Sequence, residues 1–302
     1  MSYNIAPSSM GQKILFIINP NSGPSSKPFD KKLIEKYLPN NFNGEVKILT
    51  TEKAGHAREL TEANKSDYDK IAAVGGDGTI NEVASGLVGS DTRLGIIPRG
   101  SGNGLAFYLG IPKNLKKCLS VILDDNFRSI DTAKINNHFF INMAGIGFDA
   151  HVAHLFANFG SRGLLSYSRL VLREYSGYPG IQVITSANGQ RQDNHAFLMS
   201  FANSSQYGNN AHIAPQAAID DGLIDVCFIK KPTLLSSPVL VNRLFNKSIN
   251  KSRLYNTIQT DRIEIESEID MKAHVDGEPI MIGKKAAISV NKQSINVLVP
   301  TS

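Results

Sequence analysis

At 302 residues the chain is long enough for two hydrophobic cores, on a soft expectation of ~100–200 residues per domain. Its 41% hydrophobic and 20% charged content is ordinary for a globular protein, and a net charge of +5 spread along the chain does not by itself announce nucleic acid. That charge suits an anionic partner, a nucleotide or an acidic membrane surface, beside the plainer reading of a solvated basic surface.

Cys118 and Cys227 fit no metal or redox spacing and read as two buried, reduced thiols. The start, MSYNIAPSSMGQK, lacks the apolar stretch of a signal peptide, and no apolar run approaches the ~18–20 residues of a membrane span. The expected location is therefore cytoplasmic, with any lipid met peripherally, from outside the bilayer.

The first part alternates. KILFIIN (13–19) reads as a buried strand and FDKKLIEKYL as a helix. EVKILT (45–50), KIAAVGG (70–76) and RLGIIP (93–98) are further strands. Helical spacing marks AGHARELTEANK, TINEVASGLV and NLKKCLSVIL (114–123). This alternation predicts an α/β domain of Rossmann-like type, a parallel sheet with helices on both faces.

Beyond residue 128 the texture changes to short runs rich in Ile, Val, Phe and Thr. These are RSIDTAKI, HFFINMA, IQVITSA, AFLMSFA, LIDVCFI, RIEIES, AHVDGEPIMI, AAISV and INVLV. The turn dipeptides Asn188-Gly189, Asp221-Gly222 and Asp276-Gly277 predict hairpins in a β-sandwich, with helices inserted at about 150–175 and at SPVLVNRLFN. The expected division is 1–127 and 128–302, the last strand being free to return to the first domain.

In α/β sheets ligands bind beyond the carboxyl ends of the strands. Three such ends here are runs of small residues: IINPNSG, AVGGDGT and IIPRGSGNG. Small residues let backbone N–H groups converge on one concavity, which is how phosphate oxygens are cradled. Thr79 and Asn81 open the following helix, whose positive end favours an anion, and Arg99 adds a charge. Each loop alone is as readily an ordinary turn; three on one sheet edge point to phosphate. No G-x-x-x-x-G-K-[ST] is present, so the P-loop class is excluded. GIGFDA (145–150) matches the dinucleotide fingerprint G-x-G-x-x-[GA] but lacks a following βαβ unit, and it reads as a tight strand-to-helix junction.

Together, NPNSG, GGDGTINEV, IIPRGSGNGLA, IAPQAAIDDGLIDV (213–226) and HVDGEP resemble the diacylglycerol kinase catalytic-domain family, which includes bacterial lipid kinases and sphingosine kinases. The resemblance covers most of the chain in the right order, although GGDGT alone is shared with NAD kinases and phosphofructokinase-like proteins. It implies ATP bound between two domains and a lipid acceptor at a membrane surface, with no nucleic acid and with a homodimer left open. It places Asn19, Thr50 or Thr51, Gly76, Asp77, Gly78, Thr79, Glu82 and Asp131 around ATP, with Gly100, Ser101 and Asn103 along its phosphates. Asp276 and Glu278 become the catalytic carboxylates. A structural Mg2+ is implied at the Asp221 side chain and the carbonyls of Ala218 and Leu223. The chain departs from the pattern at Gly104, where many bacterial diacylglycerol kinases carry aspartate; GSGNGLA is closer to the sphingosine-kinase form.

Phosphoryl transfer needs positioning, charge neutralisation and a carboxylate to take the proton of the attacking alcohol. Asp276 is the first choice for that base, with Glu278 and Asp77 assisting, and Asp77 is the second choice. Asp276-Gly277 also reads as a plain type I′ turn, and Asp221-Gly222 as a plain turn. Asp149 is a candidate for the acceptor's polar head or a helix cap. His151 and His154 read as a packing pair rather than a metal site. The stretch from Leu155 to Tyr178 mixes Leu164, Leu165, Leu170, Val171 and Leu172 with Arg162, Arg169 and Arg173, as a helix at a membrane interface or one packed on the sandwich would. Two rivals to a lipid kinase remain: a soluble-metabolite kinase of NAD-kinase type, and a non-catalytic nucleotide- or lipid-binding regulator.

Overall fold

Four apolar runs become the strands of a parallel sheet in the computed structural model, which describes residues 11–23, 29, 31–40, 42–157 and 164–301. The chain divides into two compact units, Met1–Ile130 with Gln293–Ser302 and Asp131–Lys292.

In the first unit β1 (Lys13–Ile18), α1 (Lys31–Glu35), β2 (Glu45–Thr50), α2 (His56–Asn64), β3 (Lys70–Gly75), α3 (Asp77–Leu87), β4 (Arg93–Pro98), α4 (Gly104–Tyr108) and α5 (Leu115–Asp124) follow in order. The sheet runs β2-β1-β3-β4, every pair parallel. β3 is buried along its whole length, which explains its unbroken apolar sequence rather than an alternating one. α3 buries Ile80, Val83, Ala84 and Leu87, the i, i+3, i+4, i+7 stripe of a helix lying on a sheet. Parallel pairing puts the ends of β1, β3 and β4 side by side, so Asn19, Gly76 and Arg99 begin three neighbouring loops.

β5 (Phe127–Ile135) runs from the first unit into the second. There follow β6 (His138–Phe140), β7 (Met143–Gly147), α6 (Phe148–Ala157), α7 (Leu164–Tyr175), β8 (Ile181–Ala187), β9 (Gln190–Ala196), β10 (Leu198–Ala202), β11 (Gln206–Gly208) and β12 (Ala211–His212). Then come β13 (Ile224–Ile229), α8 (Ser237–Phe245), β14 (Tyr255–Thr260), β15 (Arg262–Glu266), β16 (Lys272–Val275), β17 (Glu278–Met281) and β18 (Lys285–Leu298). One antiparallel sheet runs β14-β13-β10-β7-β16-β17; β9, β8, β15 and the start of β18 form a second antiparallel run. Their inward residues, among them Ile146, Met199, Phe201, Val226, Ile263, Ile265 and Ile288, make one core, the expected β-sandwich.

Four details differ from the sequence reading. HFFINMA is two strands, because Ile141 and Asn142 turn their N–H groups to a carboxylate, Asp276, instead of a neighbouring strand. β9 is polar and mostly exposed, and its strand character comes from seven residues of pairing with β8 across the Asn188-Gly189 turn. AAISV and INVLV lie in one element, β18, with Gln293 at φ 44 inside it. Asp221-Gly222 leads into β13 rather than closing a hairpin, since β13 pairs with β10 and β14. The inserted region is two helices; Arg162 and the side chains of Leu164 and Leu165 lie outside the described residues.

Candidate active site

The three small-residue loops of the first unit are fastened to one another. The Asn19 side-chain amide donates to Thr79 Oγ1 at 3.1 Å, tying the β1 loop to the start of α3. The Arg99 N–H donates to the Gly75 carbonyl at 2.7 Å, and its guanidinium Nε reaches the Ser22 carbonyl at 3.4 Å. Asp77 holds the third loop: its Oδ2 accepts from the Asn103 N–H at 2.8 Å and its Oδ1 from the Gly104 N–H at 3.0 Å. Asn103, itself left-handed at φ 52, closes that loop by bonding the Gly100 N–H and carbonyl through its side chain.

This interlocking accounts for the glycines. A Cβ on Gly100 would stand 2.7 Å from the Gly76 Cα, and one on Gly76 would stand 3.2 Å from the Gly100 Cα. The two backbones therefore touch, and no side chain fits between them. A Cβ on Gly75 would meet Thr79 Oγ1 at 2.4 Å. The resulting floor is bare backbone beside the start of α3, whose positive end suits an anion.

The remaining nucleotide candidates divide into two kinds. Gly78 lies in the first turn of α3, Ser101 is exposed on the third loop, and Thr50 is exposed at the end of β2. Thr51 is buried, with its N–H on the Ile18 carbonyl at 2.9 Å. The two Glu82 oxygens accept from the Gly55 and Ala57 N–H groups at 2.8 and 3.0 Å, capping α2 and fixing the loop after β2. Asp131 belongs to the second unit, where its Oδ2 accepts from the Gly222 N–H at 2.6 Å.

The second unit holds the DGE turn. Asp276 (φ 47) and Gly277 (φ 90) form the two-residue hairpin between β16 and β17, both with the positive φ that a type I′ turn requires. The two carboxylates of the motif differ sharply. Asp276 Oδ2 accepts from the Ile141 N–H at 3.0 Å, and its Oδ1 from the Asn142 and Met143 N–H groups at 3.0 and 2.9 Å. Glu278 is exposed, and its side chain has no hydrogen bond or ion pair among the described residues. Of the two sequence candidates for the base, Asp276 is thus anchored to backbone N–H groups and Glu278 is exposed to solvent.

Asp149, in the first turn of α6, takes part in a buried polar cluster. Its Oδ2 accepts from the Tyr207 hydroxyl at 3.1 Å and pairs with His274 Nε2 at 3.2 Å, while its Oδ1 accepts from the Ala150 N–H at 2.8 Å. A Cβ on Gly145 would lie 2.3 Å from Asp149 Oδ2, so the first glycine of GIG makes room for this cluster. Burial, reinforced by the Asp149 charge, pushes the Tyr207 hydroxyl well above the ordinary tyrosine range and keeps it a donor. His274 Nδ1 is buried without a hydrogen-bond partner among the described residues. His274 and Tyr207 were not singled out from sequence; His274 lies two residues before Asp276, and only the β16–β7 pairing brings it to Asp149. His151 instead pairs with Glu174 at 3.0 Å, and His154 Nε2 meets the Ala273 and Ile280 carbonyls.

The metal candidates lie in the segment entering β13. Asp221 Oδ1 accepts from the Leu223 N–H at 2.9 Å, and Ala218 and Leu223 are partly exposed. Among the described residues no group of three or more His, Cys, Asp or Glu side chains is arranged for a metal. One carboxylate with two carbonyls is still an all-oxygen set of the type magnesium takes. The neighbouring Asp225 carboxyl is raised by burial, against a bond from Gln259, and the Asp221 charge raises it further. The donor chemistry fits the ion.

Comparison with known proteins matches two family models to the chain. Residues 13–135 match the diacylglycerol kinase catalytic domain, and residues 142–299 match the YegS C-terminal NAD kinase beta sandwich-like domain. A protein of Chromohalobacter salexigens named a probable lipid kinase, YegS-like, is 32% identical over 241 residues, covering 76% of each chain. A diacylglycerol kinase of Staphylococcus epidermidis is 27% identical over 305 residues, covering 96% of this chain and 93% of its own. The crystal structure of a diacylglycerol kinase from Bacillus anthracis superposes with a TM-score of 0.75 at 22% identity, over 96% of this chain and 97% of the other, a likeness of fold.

Proposed function

From a chain that belongs to the family of diacylglycerol kinase catalytic domains and YegS-like lipid kinases, we propose an enzyme that transfers the γ-phosphoryl group of ATP to a lipid hydroxyl. The observation that carries this reading is the division of labour in the DGE turn: Asp276 is spent on three backbone N–H groups, while Glu278 beside it stays exposed and unpaired.

In this reading the bare-backbone floor at Gly76 and Gly100 receives the phosphates, where a side chain would bar their approach. Asp77 and Glu82 act one step back, by fixing the loops that meet the nucleotide. Glu278 accepts the proton of the attacking hydroxyl, and Asp276 sets the position of the turn that presents it. Asp149 holds the acceptor's polar head, and His274, paired with it at 3.2 Å, fixes the position of its carboxylate. Asp221, with the Ala218 and Leu223 carbonyls, would hold magnesium, whose charge when bound would brace the turn into β13.

The test is transfer from radiolabelled ATP to a panel of diacylglycerol, monoacylglycerol, sphingoid base, ceramide and phosphatidylglycerol, with NAD as control. Label in one lipid class and none in NAD is expected. Label in NAD alone would replace this reading with the soluble-metabolite one, and ATP binding without any transfer would replace it with a regulator.

A further inference from the structure

The second unit carries a basic, apolar face that neither the phosphate loops nor the DGE turn uses. α8 buries Leu240 but leaves Val239, Val241 and Phe245 about half exposed. The turn before it holds Leu234 and Leu235 at 78% and 91% exposure. Residues 230–253 contain Lys230, Lys231, Arg243, Lys247, Lys251 and Arg253 and no acidic residue. No ion pair among the described residues uses Lys230, Arg243, Lys247, Lys251 or Arg253.

This leucine turn is built rather than loose. The Tyr175 hydroxyl donates to the Pro232 carbonyl, and Lys231 Nζ donates to the Ser176 and Tyr178 carbonyls at 3.0 and 2.6 Å. Thr233 and Ser236 bond each other's backbone N–H groups at 2.8 and 3.2 Å. α7, which supplies Tyr175, itself exposes Leu172 at 77%, with Arg169 and Arg173 also exposed. A fixed turn presenting two leucines to water, inside a stretch of one charge sign, has the chemistry of an anionic lipid surface.

We propose that this face, centred on Leu234 and Leu235 and rimmed by Arg243, Lys247 and Lys251, docks the protein on an anionic phospholipid bilayer. The leucines enter the interface and the cations meet headgroup phosphates. A second copy is the poorer occupant, since a self-complementary contact would oppose two sets of six like charges. The proposal deepens the lipid-kinase reading, on which its purpose rests, by naming how the enzyme reaches an acceptor held in a membrane.

The experiment is flotation of the full chain with phosphatidylcholine vesicles, pure or with about a third phosphatidylglycerol, at low and high salt. Binding is expected only to the anionic vesicles and is weakened by salt. Each cation near the surface contributes about a fivefold factor, so Arg243→Gln/Lys247→Gln/Lys251→Gln should lower the partition coefficient about 100-fold. Leu234→Glu/Leu235→Glu should abolish flotation with an unchanged melting temperature. Both variants should phosphorylate a detergent-dispersed acceptor as the parent does and lose transfer to acceptor in vesicles. A parent that does not float with anionic vesicles, or a leucine variant that floats equally well, overturns the proposal. So does a dimer that the leucine variant dissolves while the parent ignores vesicles. Leucine-dependent flotation in a protein that phosphorylates no lipid would uphold the docking face and reject the kinase reading.

Discussion

Replacing each carboxylate of the DGE turn by its amide separates the group that reacts from the group that positions. In Asp276→Asn one side-chain oxygen can still accept from Asn142 and Met143, but the new NH2 group points at the Ile141 N–H, so a donor faces a donor. One half-buried N–H left without its acceptor costs about 1–3 kcal/mol, and weakening two charge-assisted bonds to neutral ones adds roughly 1 kcal/mol. The expected loss is therefore about 2–4 kcal/mol, read as a lower midpoint in urea with an unchanged slope. Glu278→Gln removes a carboxylate that is exposed and has no protein partner, so its midpoint should match the parent's. Its turnover should fall about 10²–10⁴-fold, the worth of a positioned general base, with ATP affinity kept. Turnover in Asp276→Asn should recover in part on cooling or with stabilising osmolyte, which cannot restore a missing base. The refuting outcome is an Asp276→Asn protein that melts like the parent yet is as inactive as Glu278→Gln. In that case Asp276 would be the reacting carboxylate and its backbone bonds incidental.

Gly100→Ala forces a Cβ against the Gly76 Cα at 2.7 Å and should cost about 1–3 kcal/mol of stability; ATP affinity measured by calorimetry should fall with it. Asp125→Ala strips the buried Lys70 of its ion pair, made at 2.8 Å, and should destabilise by roughly 2–4 kcal/mol in urea, since the Gln12 side chain and the Ile122 carbonyl still accept from the ammonium. Burial raises the Asp125 carboxyl, but bonds from Arg93 and Lys70 outweigh it and hold the group below its ordinary value. Its stabilisation is thus complete above the unfolded value of about 3.9 and is lost as pH falls through the lower folded one; the variant should show a flatter stability curve below about pH 4. Burial pushes Cys118 and Cys227 up to about 12, so neither thiol should react with a maleimide until the protein is unfolded by urea.

The parts of this protein legible in sequence are those that depend on neighbours along the chain. β3 is apolar throughout because both its faces are covered, and α3 shows its stripe because one face is. Asp276-Gly277 reads as a I′ turn because φ is set by the two residues themselves. The roles of side chains in the candidate site depend instead on partners far away in the chain. Gly76 reads as backbone left bare for a ligand, but its near neighbour is Gly100, brought over by the parallel register of β3 and β4. Asp77 and Glu82 have the chemistry of nucleotide and metal contacts, and only the fold shows that each of their oxygens also accepts from an N–H group 25 to 27 residues away. Asp276 and Glu278 are two residues apart and alike in charge. What distinguishes them is a bend at Ile141–Met143, 133 to 135 residues upstream, that supplies three donors to one and none to the other. Such a bend has no signature of its own; HFFINMA reads as a single strand until the carboxylate that interrupts it is in place. The motif therefore supplies two carboxylates of one kind, and the long-range hydrogen bonds give them different surroundings.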